Sequence, residues 1–206
     1  VSLVNRAYTE GFLTDFTRVF QGLGGKVISV EPFPSGSQTD FVKLVQSLLK
    51  PDPDAVLLVA GSLDAAMICQ HIRMSGTNIP IFSCGWAMTD ALIEHGGAAV
   101  EGVVFSQLFD RKSGEKNYLL FTRRFEDRFG EAPDFAACHA YEAARVILQA
   151  LSVNPDPDAL KATILGQGVF DGLQGDLRID PYGDPRRRRY LIKIKGGQFR
   201  SQTTPE

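Results

Sequence analysis

Three side chains, Tyr8, Ser62 and Trp86, each follow a different apolar run, and their types suit recognition of a small molecule rather than catalysis. Tyr8 offers a ring face and a hydroxyl, and Trp86, the one tryptophan, offers a flat apolar wall. Ser62, next to Gly61, offers a hydroxyl beside free backbone amides, and Gly85 leads into Trp86. Packing of the two rings against neighbouring loops is the competing role for Tyr8 and Trp86. No nucleophile has a base near it. There is no G-x-S-x-G elbow, no H-E-x-x-H and no glycine fingerprint opening a helix, since Gly22, Gly24 and Gly25 come after a helical pattern and before an extended one. His71, His95 and His139 stand apart, and Glu126 and Asp127 alternate with Arg123, Arg124 and Arg128 as a solvated helix face does. Cys69, Cys84 and Cys138 form no C-x-x-C and read as small buried residues. The expectation is a binding protein and not an enzyme, with no cofactor and no metal.

Composition narrows the partner classes. Hydrophobic residues make up 44% and charged residues 22% of the 206 positions, as in an ordinary globular chain, and the formal net charge is −2. That charge gives no case for nucleic acid, and the run Arg186 to Arg189 reads as a solvated turn or strand edge. The longest apolar stretch, 55–60, is the length of a strand and far short of a membrane span. Residues 1–4 look like the inside of a strand and carry no initiating methionine, so an upstream segment is expected.

The elements that must hold these residues alternate regularly. Residues 1–4 read as a strand, 11–23 as a helix with Phe12, Phe16, Val19, Phe20 and Leu23 inward, and 26–33 as a strand. Ser37 or Thr39 can cap a helix that ends at Pro51, and 55–60 has the continuous apolar character of a strand covered on both faces. A helix over 64–74, strands over 79–83 and 103–108, and a short helix over 89–95 continue the pattern. The fold class is α/β, a doubly wound parallel sheet. The loops 5–10, 61–63 and 84–89, which follow three of the strands, should share the rim where such sheets bind ligands. After Phe109 the pattern changes. Two helices, 118–129 and 135–151, follow one another, then a short helix over 157–165, a loop and strand over 169–180, and a hairpin or edge strand over 190–195. The two long helices need a sheet that their own segment does not obviously supply.

Several segments together resemble one family. Ala7-Tyr8-Thr9-Glu10-Gly11-Phe12 looks like the "YGxG" entry to the second lobe of the leucine/isoleucine/valine-binding proteins, and 36–49 is similar to their "D(F/Y)…L…(I/L)" segment. Pro53-Asp54-Ala55-Val56 and Arg73-Met74-Ser75-Gly76 follow in order. Gly97-Ala98-Ala99-Val100-Glu101-Gly102-Val103 resembles "G…AEGV", and Tyr141-Glu142-Ala143 resembles "YDA". The resemblance runs over nearly the whole sequence and points to the type I periplasmic solute-binding proteins of branched-chain amino acid transport.

What the resemblance implies is a two-lobed receptor that holds a small solute in its cleft and delivers it to the membrane permease of an ABC transporter, outside the cytoplasm. Residues 1–108 and 190–206 would form the second lobe, and 109–189 the C-terminal part of a first lobe whose N-terminal part is absent. Tyr8 matches the family's cleft tyrosine, Gly61 and Ser62 its ligand-contacting loop, and Gly85 and Trp86 the position where amino acid binders can carry an acid for the ligand's ammonium. Here that position has no carboxylate, and an ammonium buried without an acceptor is costly, so the ligand class is an amino acid or another small carboxylate. The alternatives are a ligand-sensing ectodomain or amide-type regulatory sensor of the same fold and, from a different class, a nucleotide-using α/β enzyme.

Overall fold

The computed structural model describes residues 1–3 and 6–202, and the chain divides into two compact units, Val1–Gln107 with Leu191–Glu206, and Leu108–Tyr190.

The first unit is a sheet with helices. Its strands are β1 (Val56–Leu58), β2 (Ile81–Cys84), β3 (Val104–Gln107), β7 (Tyr190–Ile194) and β8 (Phe199–Gln202), hydrogen-bonded in the order β1-β2-β3-β7-β8. The first three are parallel, with Val56 opposite Ile81 and Phe82 opposite Val104, and β7–β8 is an antiparallel hairpin. Helices α1 (Arg6–Gly22), α2 (Phe41–Leu49), α3 (Ser62–Met74) and α4 (Asp90–Gly96) supply the crossovers. Phe105, Ile68, Ile72, Ile81 and Leu92 are fully buried, so the α3 side of the sheet is a packed core. The parallel α/β class is the one expected.

Local details depart from expectation in three places. Asp40, not Ser37 or Thr39, caps α2: its carboxylate accepts from the Lys43 N–H at 3.0 Å, while the Thr39 hydroxyl turns back to the Pro34 carbonyl. The loop expected over 5–10 is mostly helix. Asn5 lies outside the described residues, and Arg6–Glu10 open α1, because Arg-Ala-Tyr-Thr-Glu contains no breaker and Gly11 is tolerated inside the helix. Residues 1–4 and 26–33 do not form the two strands expected; they meet in one parallel bridge, Ser2 to Phe33, and Val4 lies outside the described residues. Beside that bridge the Val1 ammonium donates to the Glu31 carbonyl at 2.9 Å.

In the second unit α5 (Lys116–Phe129) ends at Gly130, whose φ of 77° only glycine adopts cheaply. Then α6 (Phe135–Val153), capped by Asp134, and α7 (Leu160–Gln167) lead into an antiparallel sheet, β4 (Val169–Asp171), β5 (Asp176–Ile179) and β6 (Pro185–Arg186). Val146 of α6 packs with Phe170 and Leu177 of this sheet and with Ile164 of α7. The segment therefore does supply a small sheet: where one loop and strand were expected over 169–180 there are two strands, joined by a third at 185–186, each only two to four residues long. Apolar side chains of α5 and α6 nevertheless remain exposed, including Leu119, Phe129, Leu148 and Val153. No helix among the described residues is long and apolar enough to cross a membrane.

Candidate functional site

The three parallel strands end on one rim of the first unit, and the residues expected to bind ligand come from the chain that leaves it. After β1 the chain passes Val59 and Ala60 to Gly61, whose extended backbone starts α3. Gly61 has no side chain to cap the helix, and the N–H groups of Ser62, Leu63 and Asp64 have no hydrogen-bond partner among the described residues. Such unpaired donors at a helix N-terminus carry the positive end of its dipole, so this turn favours an anionic group. Around Gly61 nothing lies within 4 Å of where a Cβ would stand, which leaves that backbone accessible.

After β2 the chain makes a tight 3-10 turn, Gly85–Ala87, against which α3 packs. A side chain at Gly85 would have to displace the Gln107 amide. The Gly85 carbonyl accepts from the Gln107 side-chain amide at 3.1 Å, and a Cβ would stand 2.6 Å from that nitrogen. The buried Gln107 amide at the end of β3 thus holds the turn that presents Trp86.

Tyr8 comes from the first turns of α1, and its ring meets that of Trp86 edge-on, with centroids 5.3 Å apart and planes at 70°. Phe12, one turn on, is 6.0 Å from Tyr8. Burial, and beside it the Cys84 thiol, push the Tyr8 phenol above its ordinary value, so it stays a hydrogen-bond donor at neutral pH. Tyr8 is still 39% exposed, so the pair is a wall with an open face rather than a filled core.

Tyr8, Gly85 and Trp86 are thus gathered in one place, and Gly61 and Ser62 stand on the neighbouring loop. Sequence reasoning missed Gln107, for which a glutamine closing an apolar strand was the available signal, and Asp64. The Asp64 carboxylate is buried and accepts from the Ser35 hydroxyl and, at 3.1 Å, from the Gly36 N–H. Its lone pairs are therefore already engaged in ordering the loop at 35–36. Among the described residues no three His, Cys, Asp or Glu side chains gather as a metal ion would need. A separate cavity of about 650 Å³ in the same unit is not lined by any of the five expected residues.

The chain is similar to known proteins along nearly its whole length. It is 24% identical over 187 residues to "Leu/Ile/Val-binding protein homolog 1" of Brucella suis biovar 1, covering 90% of this chain and 50% of that protein. A leucine binding protein, LivK, from Thermotoga maritima superposes with a TM-score of 0.86 at 27% identity, over 95% of this chain and 56% of that one. An extracellular ligand-binding receptor from Rhodopseudomonas palustris HaA2 superposes with a TM-score of 0.84 at 20% identity, over 98% and 61%. The chain therefore spans about half the length of the curated relatives that it matches. Its parallel sheet, the rim at the strand ends and a family model described as "Periplasmic binding protein" that matches residues 3–198 lead to one conclusion: the chain belongs to the periplasmic binding protein family.

Proposed function

We propose that this chain is part of an extracytoplasmic solute-binding protein of an ABC importer, which captures an amino acid or another small carboxylate in a cleft between two lobes and passes it to a membrane permease. In this reading Val1–Gln107 with Leu191–Glu206 is the second lobe, and Leu108–Tyr190 is the C-terminal part of the first. The exposed apolar faces of α5 and α6 fit a lobe that needs further chain to cover them. The observation that carries the reading is the open Tyr8–Trp86 wall beside an uncapped helix N-terminus. The aromatic pair suits an apolar tail, and the N–H groups of Ser62 and Leu63 suit a carboxylate. Neither Gly85 nor Trp86 brings an acid for an ammonium, and the Asp64 oxygens are engaged, so this wall recognises the acidic and apolar parts of a solute.

The test uses Trp86, the chain's one tryptophan, whose emission reports on this wall alone. Titration with leucine, isoleucine, valine and a set of small carboxylates without an ammonium should give a saturable change for at least one of them. Affinity should be lower than that of a two-lobed receptor, because one wall forgoes the burial that closure provides. No saturable change with any of these solutes at millimolar concentrations would remove the ligand assignment from Tyr8, Gly61, Ser62, Gly85 and Trp86.

A further inference from the structure

The turn Gly85–Ala87 hangs on one oxygen atom. The Gly85 carbonyl accepts the Met88 N–H at 3.1 Å, which closes the turn, and the Gln107 side-chain amide, also at 3.1 Å. These two donors use both of its lone pairs. Ala87 and Met88 are fully buried, so the far side of the turn is fixed by packing, and Gly85 with Trp86 is the part that stands partly open.

Gln107 ends β3 and is itself buried. Its backbone is set by the strand, whose register places the preceding Ser106 opposite Cys84. A Cβ on Gly85 would lie 2.6 Å from the amide nitrogen and 2.9 Å from both the amide carbon and the amide oxygen, so the whole amide group rests against Gly85. Glycine at 85 leaves the room that glutamine at 107 fills. Packing alone would be met by an apolar side chain, since burying an amide is costly unless it is hydrogen-bonded. The polar residue at 107 therefore points to the bond that it makes. That bond reaches the recognition wall in one step, because Trp86 follows Gly85 and its ring meets Tyr8 edge-on at 5.3 Å. A turn free to rock at Gly85 would carry the indole off Tyr8.

We propose that Gln107 is a positioning residue for solute recognition: through the Gly85 carbonyl it holds the Trp86 indole against Tyr8, and so sets solute affinity without itself contacting the solute. The role rests on the reading of the Tyr8–Trp86 wall as the solute site. A wall held in one place loses little freedom when the solute arrives, which is how a residue outside the contact surface contributes to binding.

The test uses Gln107→Ala, which removes the donor, Gln107→Glu, whose carboxyl donates only while protonated, and Gly85→Ala alone and combined with Gln107→Ala. Without solute, the emission of Trp86, the one tryptophan, reads the turn directly. In Gln107→Ala it should move to longer wavelength and be quenched more readily by acrylamide. Affinity for whichever of leucine, isoleucine, valine and the small carboxylates the parent binds should fall roughly 3- to 10-fold, the factor that one hydrogen bond contributes. Gln107→Glu should show both losses at pH 8 and recover at pH 5, where burial keeps the new carboxyl protonated, while the parent stays the same at the two pH values. Gly85→Ala should be as damaging alone, yet add nothing to Gln107→Ala, because the amide it would displace is gone. Parent-like emission in Gln107→Ala overturns the positioning role, and so does a Gln107→Glu variant equally impaired at both pH values, which would make the residue packing. Should Gln107→Ala not fold, the pH comparison within Gln107→Glu decides by itself. Shifted emission with unchanged affinity overturns the role in recognition in a different way, by removing the solute from the Tyr8–Trp86 wall itself.

Discussion

Replacing Glu142 with Ala is expected to lower stability by about 3–5 kcal/mol, the range for leaving one partner of a buried ion pair uncompensated. The carboxylate, on α6, is nearly inaccessible and each oxygen is used: one accepts from the Leu173 N–H at 2.7 Å, the other from Arg187 at 2.5 Å. Arg187 also donates to His139 at 2.8 Å, and its own side chain is only 11% exposed. Beside this cluster Gly172 has no room for a side chain, since a Cβ would stand 2.3 Å from the Gly175 carbonyl oxygen. Glu142 therefore ties α6 to the turn between β4 and β5 and to the chain after β6. Burial pushes its carboxyl up, but the His139 ring 3.6 Å away and hydrogen bonds from Arg187 and the Leu173 amide outweigh this and bring it from 4.5 down to about 2. A depressed folded-state value gives stability that is fully present above pH 4.5 and is lost as pH falls towards 2. Denaturant unfolding at pH 7 and pH 3 measures both: Glu142→Ala should be far weaker than the parent at pH 7 and lose less on acidification. Removing Glu142 and Arg187 together in favour of Leu and Met should cost much less than either change alone. A parent and Glu142→Ala that differ by under about 1 kcal/mol at pH 7 would contradict this account.

The Glu142 cluster also shows what a linear sequence conceals. Tyr141-Glu142-Ala143 was visible only as a family-like motif, and Arg187 only as one of four arginines in a row that read as solvated. Arg186 does stay exposed, at 77%, so the charge run taken as a whole gave no sign of which member turns inward. That depends on the two-residue strand β6, too short to leave a hydrophobic period. By contrast, the parallel sheet was legible, because continuous apolar runs such as 55–60 are a strong signal for strands buried on both faces. The aromatic wall was legible in part. Topology places residues after β1 and β2 on one rim, so Trp86 and Gly61 could be placed from strand order. Tyr8 was expected in a loop and lies in a helix, yet its ring reaches Trp86 all the same. The strands expected over 1–4 and 26–33 are not formed beyond one parallel bridge, Ser2 to Phe33, because β propensity alone does not make a strand.

The aromatic wall supplies the second large effect. Replacing Trp86 or Tyr8 with Ala is expected to weaken solute binding by about 1–3 kcal/mol, or roughly 5- to 150-fold, the cost of losing an aromatic contact at a recognition surface. Tyr8→Phe keeps the ring and removes the donor, so it should cost only about 0.5–1.5 kcal/mol. Calorimetry is the suitable measurement, since Trp86→Ala also removes the fluorophore. The two rings touch edge-on at 5.3 Å, a contact that contributes about 0.5–1.5 kcal/mol in its own right, so each single substitution carries a small stability cost. That cost must be separated from recognition. Tyr8 is 39% exposed, which limits the packing lost on truncation, and the ligand-free melting temperature should fall by no more than about 5 °C. The double substitution discriminates further: if the rings form one wall for the solute, losing both should cost little more affinity than losing the worse single one, because either truncation opens the same face. If both single variants melt much lower without ligand and yet bind with unchanged affinity, the pair is packing for the α1 terminus and the turn Gly85–Ala87, and the solute is held elsewhere.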